Sequence, residues 1–563
     1  MSVASGDQAA APRLLHELLE HAAVRWPDKE ALVVADAAAL AGRWTYRELD
    51  ERASRLARWL GARGVREGDR VAMLAPNGLF YVTAYFAILK AGAVAVPLST
   101  ALDVSTLEHQ LRICRPRLLL VGPRCERVVV EAGARLARLA TPPPDVRGGP
   151  DDPFPVLEAV VLAAPLAAAA LAQAAAPLPV RVLDGDAELA AAAPAPLHLP
   201  ITPAAPATII FTSGSTGKPR GAALSHQGLC CNVAGIVQSL SLAHDERVLA
   251  VLPLSYVFGK SLLTMTFAVG GTLVIENRFQ YPATALATVE AEACTGIAGV
   301  PSTFAILAHR TDLRTRALPA LRWLAQAGGG MSPALIRELM QIVPAARLYI
   351  MYGATEAAGR LSCLPAEELA ANVGSIGRAI AGVTLSVLDD AGAECAPGAV
   401  GELFAQGDNI MLGYFGDLEA TGEVLSHRGY ATGDLAYRDE RGLLWLVGRK
   451  RDMLKVGGHR VGAREIEDAI VEHDAVSEAA VIGVPDELLG DRLVAYVVPR
   501  QGAALDPRAL QTFLRDRLAS HKIPGTIELC AELPKNPSGK VMKNELLRRW
   551  TAGAAPGTET PQS

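Results

Sequence analysis

A short run of hydroxyl residues, glycines and one lysine follows an apolar strand near residue 208. The sequence there is Thr208-Ile-Ile-Phe-Thr-Ser-Gly-Ser-Thr-Gly-Lys-Pro-Arg-Gly221. Glycines let backbone N–H groups approach an anion closely, hydroxyls add donors, and a lysine adds positive charge. The stretch therefore predicts a polyphosphate-binding loop, the alternative being a merely flexible turn. The residues concerned are Thr212, Ser213, Gly214, Ser215, Thr216, Gly217 and Lys218.

This loop differs from a Walker A loop in spacing and in context. Two residues separate Gly214 from Gly217, and Pro219 follows the lysine, whereas a Walker loop has four residues between its glycines and Ser or Thr after the lysine. A second short strand is expected at residues 221–224 in place of the Walker helix. Ser225 is placed to cap a helix that begins near Gln227.

Residues 212–221 resemble the signature loop of the adenylate-forming superfamily. That superfamily includes acyl- and aryl-CoA synthetases, the adenylation domains of peptide synthetases, and luciferases. Further motifs follow in the family's order between about residues 15 and 548. The resemblance implies an AMP-forming ligase that converts a carboxylic acid and MgATP to acyl-AMP and pyrophosphate. A pantetheine thiol, with CoA the favoured acceptor, then displaces AMP.

A second motif, Tyr349-Ile-Met-Tyr-Gly-Ala-Thr-Glu356, ends a predicted strand. Attack of an anionic carboxylate on the α-phosphate requires cations and nucleotide contacts that hold both reactants in line. By resemblance, Tyr352 stacks on adenine and Gly353 belongs to the same nucleotide site. Thr355 then bonds the phosphates, and Glu356 holds Mg²⁺, a cation that prefers oxygen ligands. Without the resemblance, the string is a turn before a helix capped by threonine.

A third group of residues suits a ribose. Thr432-Gly-Asp434 is expected in a turn, where one carboxylate can accept hydrogen bonds from two adjacent ribose hydroxyls. Arg449 resembles the family's second ribose contact. The alternative for the Asp434 segment is an ordinary Asx-turn.

The segment from Gly448 to Glu467 resembles the family's domain junction. Arg451 takes the hinge position, where a charged, solvated residue suits a backbone that must change its dihedral angles. Lys455, Gly457 and Gly458 would approach the thiol-bearing arm once the small domain has turned. The alternative is a solvated basic face at residues 449–451.

The last motif is Leu533-Pro-Lys-Asn-Pro-Ser-Gly-Lys540. Its proline, asparagine and glycine content predicts an exposed loop that presents Lys540. The compact charge of a lysine on a long stem can reach both the carboxylate and the α-phosphate oxygen. The resemblance assigns it, with Lys455, Glu356 and Thr355, to the catalytic set.

The predicted acid pocket departs from the family at two positions. Many acyl-CoA synthetases have histidine where this chain has Tyr256, and domains that activate α-amino acids have aspartate where it has Val257. A free α-amino acid is therefore not expected, and substrate handling at Tyr256 stays open. The predicted pocket residues are Tyr256, Val257, Phe258, Gly259, Val300 and Gly328.

Three consecutive glycines follow Ala327, and they remove side-chain bulk where a ligand must lie. Gly328 is expected in the pocket wall, and Gly329 and Gly330 in the adenine floor. The alternative is a loop between a strand and a helix capped by Ser332.

Composition narrows the function classes. The net charge of −5 and pI near 6.2 give no electrostatic footprint for nucleic acid or an anionic membrane. The eight cysteines form no C-x-x-C pair, so reduced thiols in a cytoplasmic protein are expected. The N-terminus lacks a signal-peptide pattern. Residues 159–180 carry no charge, but alanine and proline dominate them, so no membrane span is expected.

Alternating helix and strand patterns predict an α/β fold with mostly parallel, helix-flanked sheets. We expect an N-terminal AMP-binding domain at residues 1–447, with an Ala/Pro-rich low-complexity connection at 141–206 and a β-barrel-like subdomain at 374–447. A small α+β domain is expected at 448–563, with the hinge near Arg451.

Three alternatives stay open at this level. The first is an enzyme that loads a separate carrier protein instead of CoA, and the second is one that adenylates another oxyanion such as nitrite. A non-catalytic nucleotide-binding paralogue is the third alternative.

Overall fold

The computed structural model describes residues 12–35, 41–139, 157–164, 167–212, 219–450, 453–456, 459–486, 490–500, 502–535 and 541–553. The helices are α1 (Glu17–Arg25), α2 (Tyr46–Ala62), α3 (Leu79–Lys90), α4 (Val104–Cys114), α5 (Glu126–Glu131), α6 (Gly133–Leu139), α7 (Ala168–Ala174), α8 (Ala187–Ala191), α9 (His226–Leu240), α10 (Val257–Ala268), α11 (Pro282–Ala291), α12 (Pro301–Arg310), α13 (Pro333–Ile342), α14 (Ala366–Leu369), α15 (Leu418–Val424), α16 (Ala463–Val471), α17 (Pro507–Arg515) and α18 (Lys543–Gly553). The strands are β1 (Glu30–Val34), β2 (Gly42–Thr45), β3 (Arg70–Leu74), β4 (Val94–Leu98), β5 (Leu118–Val121), β6 (Ala159–Leu162), β7 (Val180–Val182), β8 (Pro206–Thr212), β9 (Arg220–Ser225), β10 (Arg247–Ala250), β11 (Thr272–Ile275), β12 (Gly296–Gly299), β13 (Trp323–Gln326), β14 (Arg347–Tyr352), β15 (Ser362–Leu364), β16 (Ser375–Ala379), β17 (Val383–Leu388), β18 (Gly401–Gly407), β19 (Gly413–Tyr414), β20 (Leu425–Ser426), β21 (Gly429–Arg438), β22 (Leu444–Arg449), β23 (Met453–Val456), β24 (His459–Gly462), β25 (Val476–Asp486), β26 (Gly490–Pro499) and β27 (Thr526–Leu529).

One sheet has the strand order β19-β9-β8-β4-β3-β5-β6-β7. It is parallel from β8 through β7, while β9 is antiparallel to β8. The side chain of Ser225 accepts a hydrogen bond from the Gly228 N–H and so caps α9, as predicted. The predicted phosphate loop therefore connects two antiparallel neighbours in this sheet.

The interpretation of residues 141–206 as a connection is wrong for its described part. β6 pairs in parallel with β5, and β7 pairs with β6, so both strands extend the sheet. Val160, Leu162 and Leu171 are buried against neighbouring strands and helices. Short apolar strands surrounded by alanine and proline gave too weak a pattern for a sequence-based prediction.

A second sheet joins the parallel and antiparallel parts of the large region. β1, β11, β10, β12, β13 and β14 form its parallel part. From β14 the order continues through β15, β16, β22, β21, β18 and β17 with antiparallel pairings. The carboxyl end of β14 therefore adjoins the β-rich subdomain, and Tyr352 of β14 meets Asp434 of β21 at this junction.

The C-terminal region has its own sheet, with the order β24-β23-β26-β25 and β27 beside β26. α16 and α17 pack on it through Ile466, Ile470, Leu510 and Leu514. The predicted α/β class, with a large N-terminal region and a small C-terminal one, is confirmed. Among the described residues, no helix is both long and apolar enough to cross a membrane.

Two histidines are buried where α1 meets α9. The Leu15 N–H donates to His226 Nδ1 at 3.0 Å, and the two imidazole centres lie 6.0 Å apart. Burial, with a smaller effect of Lys90, lowers the pKa of His16 from 6.5 to about 4. Burial, with a smaller effect of His16, lowers the pKa of His226 to about 3. Glu17 opposes the shift of His16, and His21 adds to it.

We therefore expect stability to fall as the pH drops below 6.5, the ordinary histidine pKa, towards 4 for His16. The unfolded chain binds the proton in that window and the folded chain does not, so His16 alone costs about 2 kcal/mol between pH 6.5 and 5. Thermal unfolding of His16→Phe should show a shallower acid dependence than wild type. His198→Gln, at an exposed histidine, is the matched control, and parallel curves for His16→Phe and wild type would contradict the prediction.

Candidate active site

The described ends of the phosphate loop lie side by side. Thr212 and Arg220 are partners in the β8–β9 ladder, and the Thr212 hydroxyl donates to the Arg220 carbonyl at 3.5 Å. The six residues from Ser213 to Lys218 lie outside the described residues. The loop therefore leaves and re-enters the sheet at one point.

Tyr414 connects this loop to the Glu356 motif. Its backbone pairs with Ala222 of β9, and its hydroxyl donates to Glu356 Oε1 at 2.7 Å. Arg220 Cζ lies 5.4 Å from the Tyr414 ring centroid, and the Met411 N–H donates to the Glu356 carbonyl at 2.8 Å. Burial, then the Glu356 charge, raises the pKa of Tyr414. The phenol thus stays protonated and donates to the carboxylate.

Thr355 and Glu356 lie in a short 3-10 turn at Thr355–Ala357 rather than at the start of an α-helix. The residue before the turn, Ala354, makes no side-chain cap, so threonine does not act as a helix cap here. A Cβ on Gly353 would lie 2.1 Å from the Gly359 carbonyl oxygen, which explains the requirement for glycine. The chain therefore folds back sharply and presents the carboxylate.

Asp434 joins Tyr352 and Arg449. The Tyr352 hydroxyl donates to Asp434 Oδ2 at 2.6 Å, and Arg449 Nε donates to Oδ1 at 3.1 Å. Burial, then the Asp434 charge, raises the pKa of Tyr352. The prediction of a turn at 432–434 is wrong, because these residues lie inside β21, with Asp434 opposite Arg449 of β22. A positive φ of 72° at Gly433 and an irregular register provide the local bend that suggested a turn.

The predicted acid-pocket residues come together around the start of α10. A Cβ on Gly328 would lie 3.2 Å from Val300 Cγ1 and 3.7 Å from Phe258 Cδ1. A Cβ on Gly359 would lie 3.3 Å from Val257 Cγ2. Gly328 and Gly359 therefore face these apolar side chains. A larger residue at either position would fill the space in front of them.

The two flanking residues of this group have structural roles as well. Tyr256 precedes α10 in an extended conformation without capping it by its side chain. Gly259 is required by packing, because a Cβ there would lie 2.1 Å from the Pro253 carbonyl oxygen.

The expected adenine floor contacts the C-terminal region. Gln326 Nε2 donates to the Gly329 carbonyl at 2.6 Å. A Cβ on Gly330 would lie 2.5 Å from Arg464 Cζ at the start of α16. Ser332 accepts from the Leu335 N–H and caps α13, with Pro333 in its first turn. The glycine segment is thus both a helix-preceding loop and a contact between the two regions.

Other predicted residues lie outside the described residues: Arg451, Gly457, Gly458 and Lys540. Lys455 lies in β23, where its backbone partner is Arg460 of β24.

Sequence reasoning missed four residues of the site, Asn232, Arg360, Asn409 and Tyr414. Asn232 Nδ2 and Asn409 Nδ2 donate to the Arg360 carbonyl at 2.6 and 3.2 Å, and both amides also donate to the Ala357 carbonyl. They hold the loop that follows Glu356. A single arginine within the otherwise small and apolar stretch 357–364 was the available signal.

Glu356 fits a magnesium ion that is shared with a nucleotide. Mg²⁺ is commonly bound by one or two carboxylates together with substrate phosphates, and its other ligands are waters. Within the described part of the chain, no group of three or more His, Cys, Asp and Glu side chains could hold a metal. A single carboxylate near β9, the strand that follows the predicted phosphate loop, is the donor set that a nucleotide-bound ion needs.

We expect Tyr414→Phe to lower kcat/KM for ATP about tenfold in pyrophosphate exchange. The change removes one hydroxyl donor to a carboxylate, and hydrogen bonds to charged groups contribute about 1.5–3 kcal/mol. Tyr281→Phe, at a tyrosine that is 64% exposed, is the control. Unchanged ATP kinetics in Tyr414→Phe, with an unfolding temperature equal to wild type, would contradict this role.

The chain matches known proteins along nearly its whole length. The pattern of the family described as "AMP-binding enzyme" matches residues 19–415, and that of the AMP-binding enzyme C-terminal domain matches residues 465–540. A feruloyl-CoA synthase from an Amycolatopsis species is 34% identical over 93% of this chain and 98% of that protein. The sulfoacetate–CoA ligase of Cupriavidus necator is 31% identical over 95% and 97%, respectively.

Solved structures show the same fold. ATP-bound MatB from Rhodopseudomonas palustris is 26% identical, with a TM-score of 0.79 over 95% of this chain and 99% of that one. The anthranilate CoA ligase AuaEII, in complex with anthranoyl-AMP, has a TM-score of 0.83 at 24% identity over 96% of this chain and 98% of that one.

Proposed function

We propose catalytic and binding roles for the residues of this chain, which belongs to the AMP-binding enzyme family and is an AMP-forming acid–thiol ligase. It activates a carboxylic acid with ATP to acyl-AMP and pyrophosphate, and then forms a thioester with CoA. The observation that carries the assignment of roles is the Tyr414–Glu356 hydrogen bond, because Tyr414 also pairs with β9, the strand that follows the predicted phosphate loop.

We assign the ribose to Asp434 and Arg449 and the adenine to Tyr352 and the glycine segment. The Asp434 carboxylate is already oriented by two donors, so it costs little to order when a ribose arrives. Residues 212–218 and Thr355 bind the phosphates, and Glu356 holds Mg²⁺. A bound Mg²⁺ would neutralise phosphate charge during attack by the carboxylate.

We assign Lys540 to the first half-reaction, in which its ammonium group bridges the carboxylate and the α-phosphate oxygen. In the second half-reaction, Lys455, Gly457 and Gly458 form the path for the thiol. The domain boundary then lies between residues 447 and 448, and the C-terminal domain pivots at Arg451. We also place the enzyme in the cytoplasm, because its eight cysteines are free thiols.

The acid is proposed not to be a free α-amino acid. Val257 meets Gly359 at the position where a carboxylate would be needed for an ammonium group. A buried ammonium without such a partner is costly, typically by several kcal/mol. The names of similar proteins carry different acids, such as feruloyl, sulfoacetate and medium-chain fatty acid, so they do not select one.

The test is a pyrophosphate-exchange screen over short, long, aryl and amino acids, followed by an AMP-release assay. We expect exchange with an acyl or aryl acid and AMP release on addition of CoA. AMP release only with a phosphopantetheine-bearing carrier protein would support the carrier-loading alternative. Exchange that is strongest with an amino acid would overturn the role given to Val257. Exchange with nitrite but with none of the acids would favour the oxyanion alternative.

A further inference from the structure

Arg360 is a buried cation beside the residues of the predicted acid pocket. Its residue is 3% exposed, and its Nη1 donates to the neighbouring Gly359 carbonyl at 3.0 Å. Its Nε is also buried and has no acceptor among the described residues. The guanidinium carbon lies 4.0 Å from the centre of the Phe258 ring. An aromatic face and one backbone carbonyl are therefore its described partners.

The charge of Arg360 is not neutralised within the described part of the chain. Burial lowers its pKa to about 9, and the titratable neighbour that acts on it is the Cys363 thiol. The guanidinium is still protonated at neutral pH. Lys90, by contrast, is fully buried but pairs with both Glu20 and Asp50. A buried charge is ordinarily paired, so Arg360 is a candidate for pairing with an external anion.

The position of Arg360 indicates where that partner comes from. Phe258, beneath the guanidinium, also borders Gly328. Gly359, the residue before Arg360, faces Val257. The arginine therefore adjoins the apolar residues and the glycines of the predicted pocket. Its backbone is held by Asn232 and Asn409, so the cation is preorganised.

We propose that Arg360 binds a second negatively charged group on the acid, so that the substrate is a small dicarboxylic or sulfocarboxylic acid. This inference rests on the proposed function. A guanidinium presents its N–H donors in a planar fork that matches carboxylate and sulfonate oxygens. The apolar wall next to it receives the carbon skeleton, while the reacting carboxylate faces the nucleotide. Arg360 is a specificity residue and takes no part in adenylation itself.

The test compares acids that differ by one anionic group. Pyrophosphate exchange is measured with succinate against butyrate, glutarate against pentanoate, isophthalate against benzoate, and sulfoacetate against propionate. We expect wild type to prefer the doubly anionic acid at least tenfold in one or more pairs. Arg360→Leu should lose that preference, and Arg360→Lys should retain part of it. Arg378→Leu is the control, because Arg378 lies opposite Cys363 on the adjacent strand and pairs with Glu368 at a half-exposed position.

Thermal unfolding separates recognition from a structural role. Replacing an unpaired buried charge with leucine should leave the unfolding temperature unchanged or raise it. A wild-type preference for the monoanion in every pair, or an equal loss for both members in Arg360→Leu, would overturn the inference and leave the ligase function intact. A lowered unfolding temperature without a change in selectivity would also overturn it. Absence of exchange with any acid would instead remove the proposed function, and this inference with it.

Discussion

Lys540→Ala is expected to lose about a hundredfold in the rate of acyl-AMP formation, while thioester formation from preformed acyl-AMP largely survives. One charge directed at the transition state contributes on the order of 3 kcal/mol, which corresponds to that factor. The charge stabilises the approach of two anions. The second half-reaction joins a thiol to a carbonyl that is already activated, so it does not need this lysine.

The measurement is pyrophosphate exchange for the first half-reaction and AMP release from synthetic acyl-AMP and CoA for the second. Lys535→Ala is the matched control, since Lys535 lies in the same motif as Lys540. Its ammonium group instead pairs with Glu478 of β25, with Nζ 2.9 Å from Oε1. Exchange near the wild-type rate in Lys540→Ala would refute the assignment.

Helices and strands whose apolar residues follow a clear pattern were predicted well from the sequence. The strand predicted near residue 208 is β8 at Pro206–Thr212, and the helix predicted to begin near Gln227 is α9 at His226–Leu240. The apolar residues of α9 recur on the face that packs on the core, and the apolar run of β8 is continuous because that strand is buried on both faces. The strands β6 and β7 were missed, because strands of only four and three residues among alanines and prolines carry almost no periodicity.

The active site was predictable only where its residues form local motifs. Glu356 and Asp434 stand in recognisable strings, whereas Tyr414 reaches Glu356 through the antiparallel pairing of β19 with β9. Those strands are almost 200 residues apart in the chain, and nothing near Tyr414 in the sequence shows its partner. Arg360 was missed for a different reason, since its importance depends on the lack of a carboxylate partner within the described part of the chain, which only a folded chain reveals. The roles of these residues in catalysis stay predictions.

The junction between the two regions connects β22 of the large region with β23 of the C-terminal sheet. Before it, β22 pairs with β21 through Arg449, and Lys450 Nζ lies 2.8 Å from Glu402 Oε2. After it, β23, which begins at Met453, pairs with β24 and β26 of the C-terminal sheet. The chain thus passes from one sheet to another within about three residues. A change of dihedral angles at Arg451 would rotate the C-terminal sheet as a body.

Such a rotation resolves a conflict over space at the reacting carbonyl. Lys540 must be near the α-phosphate in the first half-reaction, and the pantetheine arm must reach the same carbonyl in the second. Proline at 451 fixes φ near about −65° without altering a nucleotide contact. We therefore expect Arg451→Pro to retain most acyl-AMP formation and to lose thioester formation. Arg451→Ala, which keeps the backbone free, should retain both. Single-turnover assays of each half-reaction decide the matter: equal effects of Arg451→Pro on both, or no effect on either, would show that the pivot lies elsewhere.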